Sequence, residues 1–223
     1  MEAKLKILKD EQNDIFTRYA DMMSALAAPV RVKLLHFLSQ APLTVEVLAQ
    51  KIEQTTANTS MHLRKLLNEG LVSVEVLGQR RLYSLAPPLM AFWEEWQDFA
   101  MKLDPALRLS IESAYGEIQW NEALGDTLRL VKQGEIILLD VRPNEEAAGI
   151  ETSDLPVWHI PQSELKLRWG ELPKRKMILV FCRGRLCALS AFAVNYLRQH
   201  GLKASRLNLS WYQLQQHETG KKR

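Results

Sequence analysis

The chain has 223 residues, of which 47% are hydrophobic and 25% charged, and its formal net charge is +3. This composition is typical of a globular protein with two domains of about 100 residues each. No apolar run approaches the ~20 residues of a membrane-spanning helix, and the N-terminus lacks the apolar core of a signal peptide, so we expect a cytoplasmic protein. Two cysteines are too few for a disulfide framework.

Helical periodicity dominates the first half of the chain. It predicts four helices, over 3–27, 30–39, 45–52 and 57–69. Gly70 follows the fourth helix as a C-cap glycine. The strand patterns at 71–76 and 80–85 predict a β-hairpin with Gly78 near its tip, and residues 89–102 predict a further helix that is rich in Trp and Phe.

Two short helices joined by a tight turn and followed by a basic hairpin have the layout of a winged helix-turn-helix. The second helix would enter the major groove of DNA, and the hairpin would lie beside the phosphates. The polar residues expected at this surface are Asn58, Thr59, Ser60, His62, Arg64, Lys65, Arg80 and Arg81. Asn and Arg suit base edges, and the others mostly suit phosphates. The alternatives are a helical hairpin packed into a core and, for His62, a packing role.

Several stretches of this half closely resemble the ArsR family of bacterial repressors. They are residues 26–31, 47–49, 60–66, 69–72 and 80–83. The resemblance covers about residues 5–100 and implies a homodimer, built on the first and last helices, that binds an inverted-repeat operator in double-stranded DNA. Metal-sensing members carry Cys on the third helix, or carboxylates and His on the last. This chain has no Cys before Cys182 and no His in 89–102, so we expect no metal.

The second half alternates strand-like and helical segments, which is typical of an α/β fold. An apolar run ends in Asp140-Val141-Arg142, and a second run, 177–181, precedes Cys182 and a helical segment, 188–197. We divide the chain into a DNA-binding and dimerisation domain at 1–103, a linker at 104–120, a second domain at 121–217 and a basic tail at 218–223.

The segment from Cys182 to Cys187 has the features of a nucleophile pocket. A thiol at a strand-to-helix turn faces backbone N–H groups and the positive end of a helix dipole, and both favour the thiolate. We therefore expect Cys182 to be ionised, and Arg183 and Arg185 add positive charge nearby. We also expect the backbone amides of residues 183–188, which include Gly184, to surround the sulfur. Cys187 either resolves a sulfur adduct or is a small buried residue. An inert Cys182 is a further alternative, and a zinc site lacks further ligands.

Asp140 and Arg142 lie at the end of the other strand, where sites gather in open α/β sheets. Arg142 either pairs with Asp140 or reaches Glu145 or Glu146. For both residues we favour structural ion pairing over a direct role in chemistry.

Together, 140–142, 160–165 and 180–187 resemble the rhodanese family over about residues 121–216. The resemblance implies a parallel sheet flanked by helices and a Cys182 that accepts sulfane sulfur as a persulfide and passes it to cyanide or another thiol. It implies no cofactor. The chain departs from the family pattern at 149–156 and at 208–211. Related phosphatases need an arginine where this chain has Ala188, so phosphoryl transfer is disfavoured.

The sequence thus predicts an α+β winged helix-turn-helix domain followed by an α/β rhodanese-like domain. We expect a homodimeric repressor whose partners are operator DNA and a sulfane-sulfur donor or acceptor. We expect no association with a membrane. Two alternatives stay open: a sulfurtransferase that its DNA-binding head localises or autoregulates, and a degenerate rhodanese-like domain that serves as an interaction surface.

Overall fold

The computed structural model describes residues 2–116, 120, 122–147, 154–211 and 213–215. Most of the segment 149–156, where the rhodanese pattern is lost, lies outside the described residues, as does the expected tail at 218–223. The chain divides into two compact units, Met1–Trp96 and Gln97–Arg223. No described helix is long and apolar enough to cross a membrane.

The first unit consists mainly of helices, with one small sheet. Its elements are α1 (Glu2–Leu26), α2 (Pro29–Leu38), β1 (Leu43–Thr44), α3 (Val45–Lys51), α4 (Thr56–Asn68), β2 (Val72–Leu77) and β3 (Arg80–Leu85), and α5 (Pro87–Leu103) continues across the boundary into the second unit. The predicted helices and hairpin are confirmed, with ends that move by one or two residues.

Local signals explain where these elements begin and end. The hydroxyl of Thr55 accepts a hydrogen bond from the Asn58 N–H at 3.2 Å and so caps α4. Gly70 has a φ of +67° directly after the helix, a backbone conformation that glycine adopts without steric cost. Gly78, with a φ of +62°, lies at the tip of the hairpin.

A three-stranded antiparallel sheet forms in the order β1-β3-β2. Strands β2 and β3 pair from Val72 with Leu85 to Leu77 with Arg80. Strand β1 was not predicted, because a strand of two residues is too short to show periodicity. The hydrophobic core of this unit is made by leucines with no exposed surface: Leu34, Leu35, Leu38, Leu48, Leu63 and Leu66.

The second unit contains a four-stranded parallel sheet. Its elements after α5 are α6 (Pro105–Tyr115), α7 (Leu124–Lys132), β4 (Ile136–Asp140), β5 (Val157–His159), α8 (Leu165–Arg168), β6 (Met177–Cys182), α9 (Ala188–Gln199) and β7 (Ala204–Ser210). The segment expected as a linker, 104–120, contains helix α6. Asp104 caps this helix by accepting hydrogen bonds from the N–H groups of Ala106 and Leu107 at 3.0 and 3.2 Å.

The strand order in this sheet is β5-β4-β6-β7, with parallel pairing throughout. One buried cluster joins the sheet to α8 and α9, and a second joins its other face to α7. The expected parallel sheet flanked by helices is therefore confirmed. Because the carboxyl ends of parallel strands meet at one edge, Asp140 and Cys182 end neighbouring strands at the same edge.

Candidate functional sites

Helix α4 presents a polar outer face in the first unit. Arg64 is exposed, and Ser60 and Asn58 are half-buried. The Asn58 amide donates to Gln54 Oε1 at 2.7 Å, and Lys65 forms an ion pair with Glu69 at 3.1 Å. Arg64 and Ser60 are therefore open to a partner, whereas Asn58 and Lys65 would have to exchange an existing contact for one with DNA.

Thr59 does not belong to this surface. Its side chain has no exposed area, and its hydroxyl donates to the Thr55 carbonyl at 2.9 Å. The expectation that Thr59 contacts DNA is wrong, because residues 59, 63 and 66 share the face of α4 that packs into the core.

His62 is half-buried and bound from within the protein. Its Nδ1 lies 3.3 Å from Arg31 Nη1. Because a guanidinium has hydrogen-bond donors and no acceptor, Arg31 is the donor and His62 Nδ1 the acceptor. Burial, followed by the charge of Arg31, lowers the pKa of His62, which keeps the imidazole neutral at physiological pH. Arg31 also donates to the carbonyls of Ser24 and Ala25 at the end of α1. The contact with Arg31 joins α4 to α2 and supports the packing alternative for His62.

The wing carries Arg80 and Arg81, and both are exposed. They are neighbours on β3 and pair with Leu77 and Val76 of β2. Successive side chains of a strand point to opposite faces, so the two arginines present their charges on different sides of the hairpin.

In the second unit, the loop between β6 and α9 forms the predicted strand-to-helix turn. Strand β6 ends at Cys182, and Cys187 is the N-cap residue of α9. Gly184 has a φ of +108°, and an added Cβ would lie 3.6 Å from Gln213 Oε1. That distance is an ordinary contact, but L side chains rarely adopt a φ of +108°, so a side chain at position 184 would strain the loop backbone.

Both cysteines are free thiols in a buried setting. Cys182 has no exposed area and Cys187 has 8%. The Cys182 thiol donates to Ser190 Oγ at 3.3 Å and to the Cys187 carbonyl at 3.8 Å. Cys182 is therefore the buried last residue of β6, and Cys187 lies at the amino end of α9.

Their surroundings move the two pKa values in opposite directions. A hydrogen bond between the two cysteine side chains, together with burial, raises the pKa of Cys182 well above its usual value. The same hydrogen bond lowers the pKa of Cys187 to about 6, assisted by the backbone N–H groups of Arg183 and Leu189. These directions favour ionisation at Cys187 over ionisation at Cys182, the thiol that the sequence had suggested. Cys187 lies at the amino end of α9, where N–H groups stabilise an anion.

The two predicted arginines of the loop are already paired with carboxylates. Arg183 binds Glu146 through two hydrogen bonds of 2.6 and 2.7 Å, and Arg185 binds Asp98 at 2.6 Å. The charge of Arg183 still contributes to the lowered pKa of Cys187, after the hydrogen bonds. A large part of the positive charge expected at the sulfur is therefore neutralised.

Asp140 and Arg142 form a buried ion pair of their own, with three hydrogen bonds between the side chains of 2.7 to 3.1 Å. The carboxylate also accepts the backbone N–H of Arg142 at 2.9 Å. Arg142 pairs with Asp140, one of the partners considered for it, while Glu146 binds Arg183. The pair shapes the turn after β4 and forms no described hydrogen bond with either cysteine.

Two residues near the sulfur atoms, Ser190 and Arg206, were not predicted from the sequence as part of the site. Ser190 accepts hydrogen bonds from Cys182 Sγ and from Arg206 Nε, at 3.3 and 3.1 Å. Arg206 also donates to the Cys187 carbonyl at 3.3 Å. No signal in the sequence points to Arg206, because its place beside the loop depends on the pairing of β6 with β7.

Within the described part of the chain, no group of three His, Cys, Asp or Glu residues could hold a metal.

The first unit is similar to known proteins. Residues 28–74 match the family model of the bacterial regulatory proteins of the arsR family. The chain is 28% identical over 207 residues to the HTH-type transcriptional regulator Rv0324 of Mycobacterium tuberculosis, and the alignment covers 91% of this chain and 90% of that protein.

Solved structures resemble the same region of the chain. The homodimeric winged helix-turn-helix DNA-binding domain of Mb0332 from Mycobacterium bovis has a TM-score of 0.40 and 25% identity, covering 42% of this chain and 89% of that one. NolR from Sinorhizobium fredii has a TM-score of 0.38 and 28% identity, covering 40% and 90%.

Proposed function

We propose that this chain, whose N-terminal unit contains an ArsR-type winged helix-turn-helix, is a transcriptional repressor whose C-terminal domain takes up sulfane sulfur. The match over residues 28–74 carries the DNA-binding half of the proposal. A relative that aligns with both units bears the name of a transcriptional regulator. The sulfur half keeps the rhodanese-like activity expected from the sequence but makes Cys187, in place of Cys182, the sulfur acceptor. It is supported by the position of Cys187 at the start of α9 and by the opposed pKa shifts of the two neighbouring thiols.

On DNA, α4 enters the major groove and the β2–β3 hairpin lies along the phosphates, which is the docking mode of winged helix-turn-helix proteins. Arg64 is the exposed side chain of α4 suited to a base edge. Arg80 and Arg81 contribute the salt-dependent contacts with phosphates.

The repressor acts as a homodimer. Helix α1 exposes large apolar side chains that one copy of the unit leaves uncovered, and they include Phe16, Tyr19 and Met23. Apolar patches of this kind mark association surfaces, and a second copy of the chain provides a matching one under two-fold symmetry. A dimer also presents two copies of α4 to an inverted-repeat operator.

At the loop, the Cys187 thiolate attacks the outer sulfur of a sulfane donor such as thiosulfate. The S–S bond of the donor breaks, sulfite leaves with the electron pair, and Cys187 becomes a persulfide. Cys182 then loses its proton and attacks the inner sulfur of this persulfide, and hydrosulfide leaves. The two thiols are oxidised to a disulfide, and the sulfane sulfur is reduced to sulfide.

The burial of both sulfur atoms favours stoichiometric sensing over rapid turnover. A Cys182–Cys187 disulfide removes the thiol proton that now bonds to Ser190 and to the Cys187 carbonyl. The loop and the start of α9 therefore have a different set of hydrogen bonds in the oxidised state.

The deciding experiment measures binding to the protein's own promoter DNA and to a random duplex, with and without thiosulfate or polysulfide. We expect a preference for the promoter and a change of at least about tenfold in affinity with the donor, a free-energy difference of about 1.4 kcal/mol. C187S abolishes the response. C182S retains a persulfide, seen as a mass increase of about 32 Da.

Equal affinity for the two duplexes contradicts the DNA-binding half of the proposal. Unchanged masses of the wild-type protein and of C182S after donor treatment contradict the sulfur half. Sustained thiosulfate:cyanide turnover that C187S loses, without any change in DNA affinity, supports the sulfurtransferase alternative instead.

A further inference from the structure

Arg206 is an unusual cation in the second unit. It lies on β7 with 2% of its surface exposed, and its guanidinium donates hydrogen bonds to neutral oxygens. Nε bonds to Ser190 Oγ at 3.1 Å, and Nη2 bonds to the carbonyls of Arg185 and Cys187 at 3.0 and 3.3 Å. Nη1 bonds to the carbonyls of Tyr115 and Gly116.

Among the described residues, no carboxylate pairs with Arg206, in contrast to its neighbours. Arg183, Arg185 and Arg142 have Glu146, Asp98 and Asp140 as partners. A buried charge without a counter-charge is costly. Burial accordingly lowers the pKa of Arg206, and negative charge on the two cysteines acts in the opposite direction.

We propose that Arg206 is the counter-charge of the anionic sulfur in the Cys182–Cys187 loop and the residue that positions this loop. The inference rests on the proposed sulfur chemistry and adds to it a residue outside the loop. By drawing the carbonyls of Arg185 and Cys187 toward its guanidinium, Arg206 leaves backbone N–H groups of the loop free to face the sulfur.

Ser190 connects this cation to the resolving thiol. Its hydroxyl oxygen accepts from Cys182 Sγ and from Arg206 Nε. When Cys182 gives up its proton, the hydroxyl of Ser190 turns to donate to the new thiolate, while Arg206 holds the oxygen in place. Arg206 is therefore a positioning residue that acts through Ser190 and through the loop backbone.

The test compares R206M, R206K and the control R198M by the rate of thiol alkylation across pH, with persulfide formation measured by mass spectrometry. Arg198 is a matched control, because its Nε also donates to a carbonyl, that of Ala204, at 2.7 Å. We expect R206M to raise the alkylation midpoint by at least one pH unit, so that the rate at pH 5, below both midpoints, falls about tenfold. R206K retains the charge and therefore keeps the wild-type alkylation midpoint, but it forms the persulfide more slowly because it loses the positioning hydrogen bonds; R198M is unchanged in both measurements.

A purely structural role predicts a different pattern. A lysine cannot hold the two loop carbonyls and Ser190 together, so R206K would then behave like R206M. That result, or an unchanged pH profile in R206M, overturns the inference. Circular dichroism checks the fold, and R206Q, which keeps an amide donor without the charge, replaces R206M where that variant does not fold. Loss of persulfide in the wild-type protein would instead overturn the proposed function.

Discussion

At the scale of single residues, two cysteines that look equivalent in the sequence have opposite properties. Cys182 is the last residue of a buried strand, and its thiol proton is hydrogen-bonded. Cys187 is the N-cap residue of α9, and the hydrogen bond with Cys182 lowers its pKa to about 6, assisted by the backbone N–H groups of Arg183 and Leu189. We therefore assign the thiolate to Cys187, at the amino end of α9. Burial penalises a negative charge on Cys182, whereas hydrogen-bond donors stabilise a negative charge on Cys187.

This assignment predicts the pH dependence of thiol reactivity. In wild-type protein, iodoacetamide labels Cys187 with a midpoint near pH 6. C182A removes the donor of this hydrogen bond, and the midpoint moves toward the ~8.5 of an ordinary thiol. C187S, the control, reacts slowly at neutral pH. Peptide mapping of the labelled protein checks the result, and rapid labelling of Cys182 at pH 7 contradicts it.

The same shift affects stability. The pKa of Cys187 in the folded protein lies below the unfolded value of ~8.5, so ionisation of Cys187 stabilises the fold. That contribution is fully present above about pH 8.5 and is lost as the pH falls through about 6.

At the scale of elements, the polar face of α4 has one inward-facing member. Thr59 shares the spacing of Leu63 and Leu66, and all three are buried. The helical period applied to residues 59, 63 and 66 would have shown this before the structure was known. Chemical type alone, which had suggested a DNA contact for Thr59, does not distinguish the inner face from the outer face.

We predict different effects for arginines on α4 and on the hairpin. R64A reduces the preference for the promoter over a random duplex, at a cost of about 1–3 kcal/mol. R80A and R81A weaken binding to both duplexes, and each reduces the slope of log affinity against log salt by about 1, because one phosphate is no longer neutralised. The control R175A, an exposed arginine of the second unit, leaves both quantities unchanged. Fluorescence anisotropy at several salt concentrations separates these effects, and an R64A protein with full specificity contradicts the docking mode.

At the scale of the whole molecule, apolar surface left open within one chain indicates association. Phe16, Tyr19 and Met23 lie three and four residues apart on α1, where they share one face of the helix. Their exposed fractions are 59%, 59% and 71%. A single copy of the first unit leaves this face uncovered, and the proposed dimer would bury it.

We predict that the double variant F16E/M23E is monomeric in light scattering and binds the promoter at least about tenfold more weakly, since it loses the coupling between half-sites. Glutamate is a good helix former, so α1 itself persists. The control L167E changes a leucine on α8 that is 88% exposed and leaves the dimer intact. A dimeric F16E/M23E with normal affinity places the interface elsewhere.

The sequence by itself determined the local elements, because helical and strand periods, N-caps and turn glycines act over a few neighbouring residues. The hairpin at 72–85, the helix at 56–68 and the turn at Cys182–Cys187 were all found in this way. The helix at 105–115 was missed, although Asp104 and Pro105 form an N-terminal signal.

Only the tertiary structure decided which thiol ionises, which arginines have partners and where Arg206 lies. Glu146 and Arg183 are 37 positions apart, and Arg206 is 16 from Ser190. Their contacts arise from the order of strands in the sheet, which local pattern does not encode. The charge on a buried group depends on these distant neighbours, since desolvation and hydrogen bonding act through space.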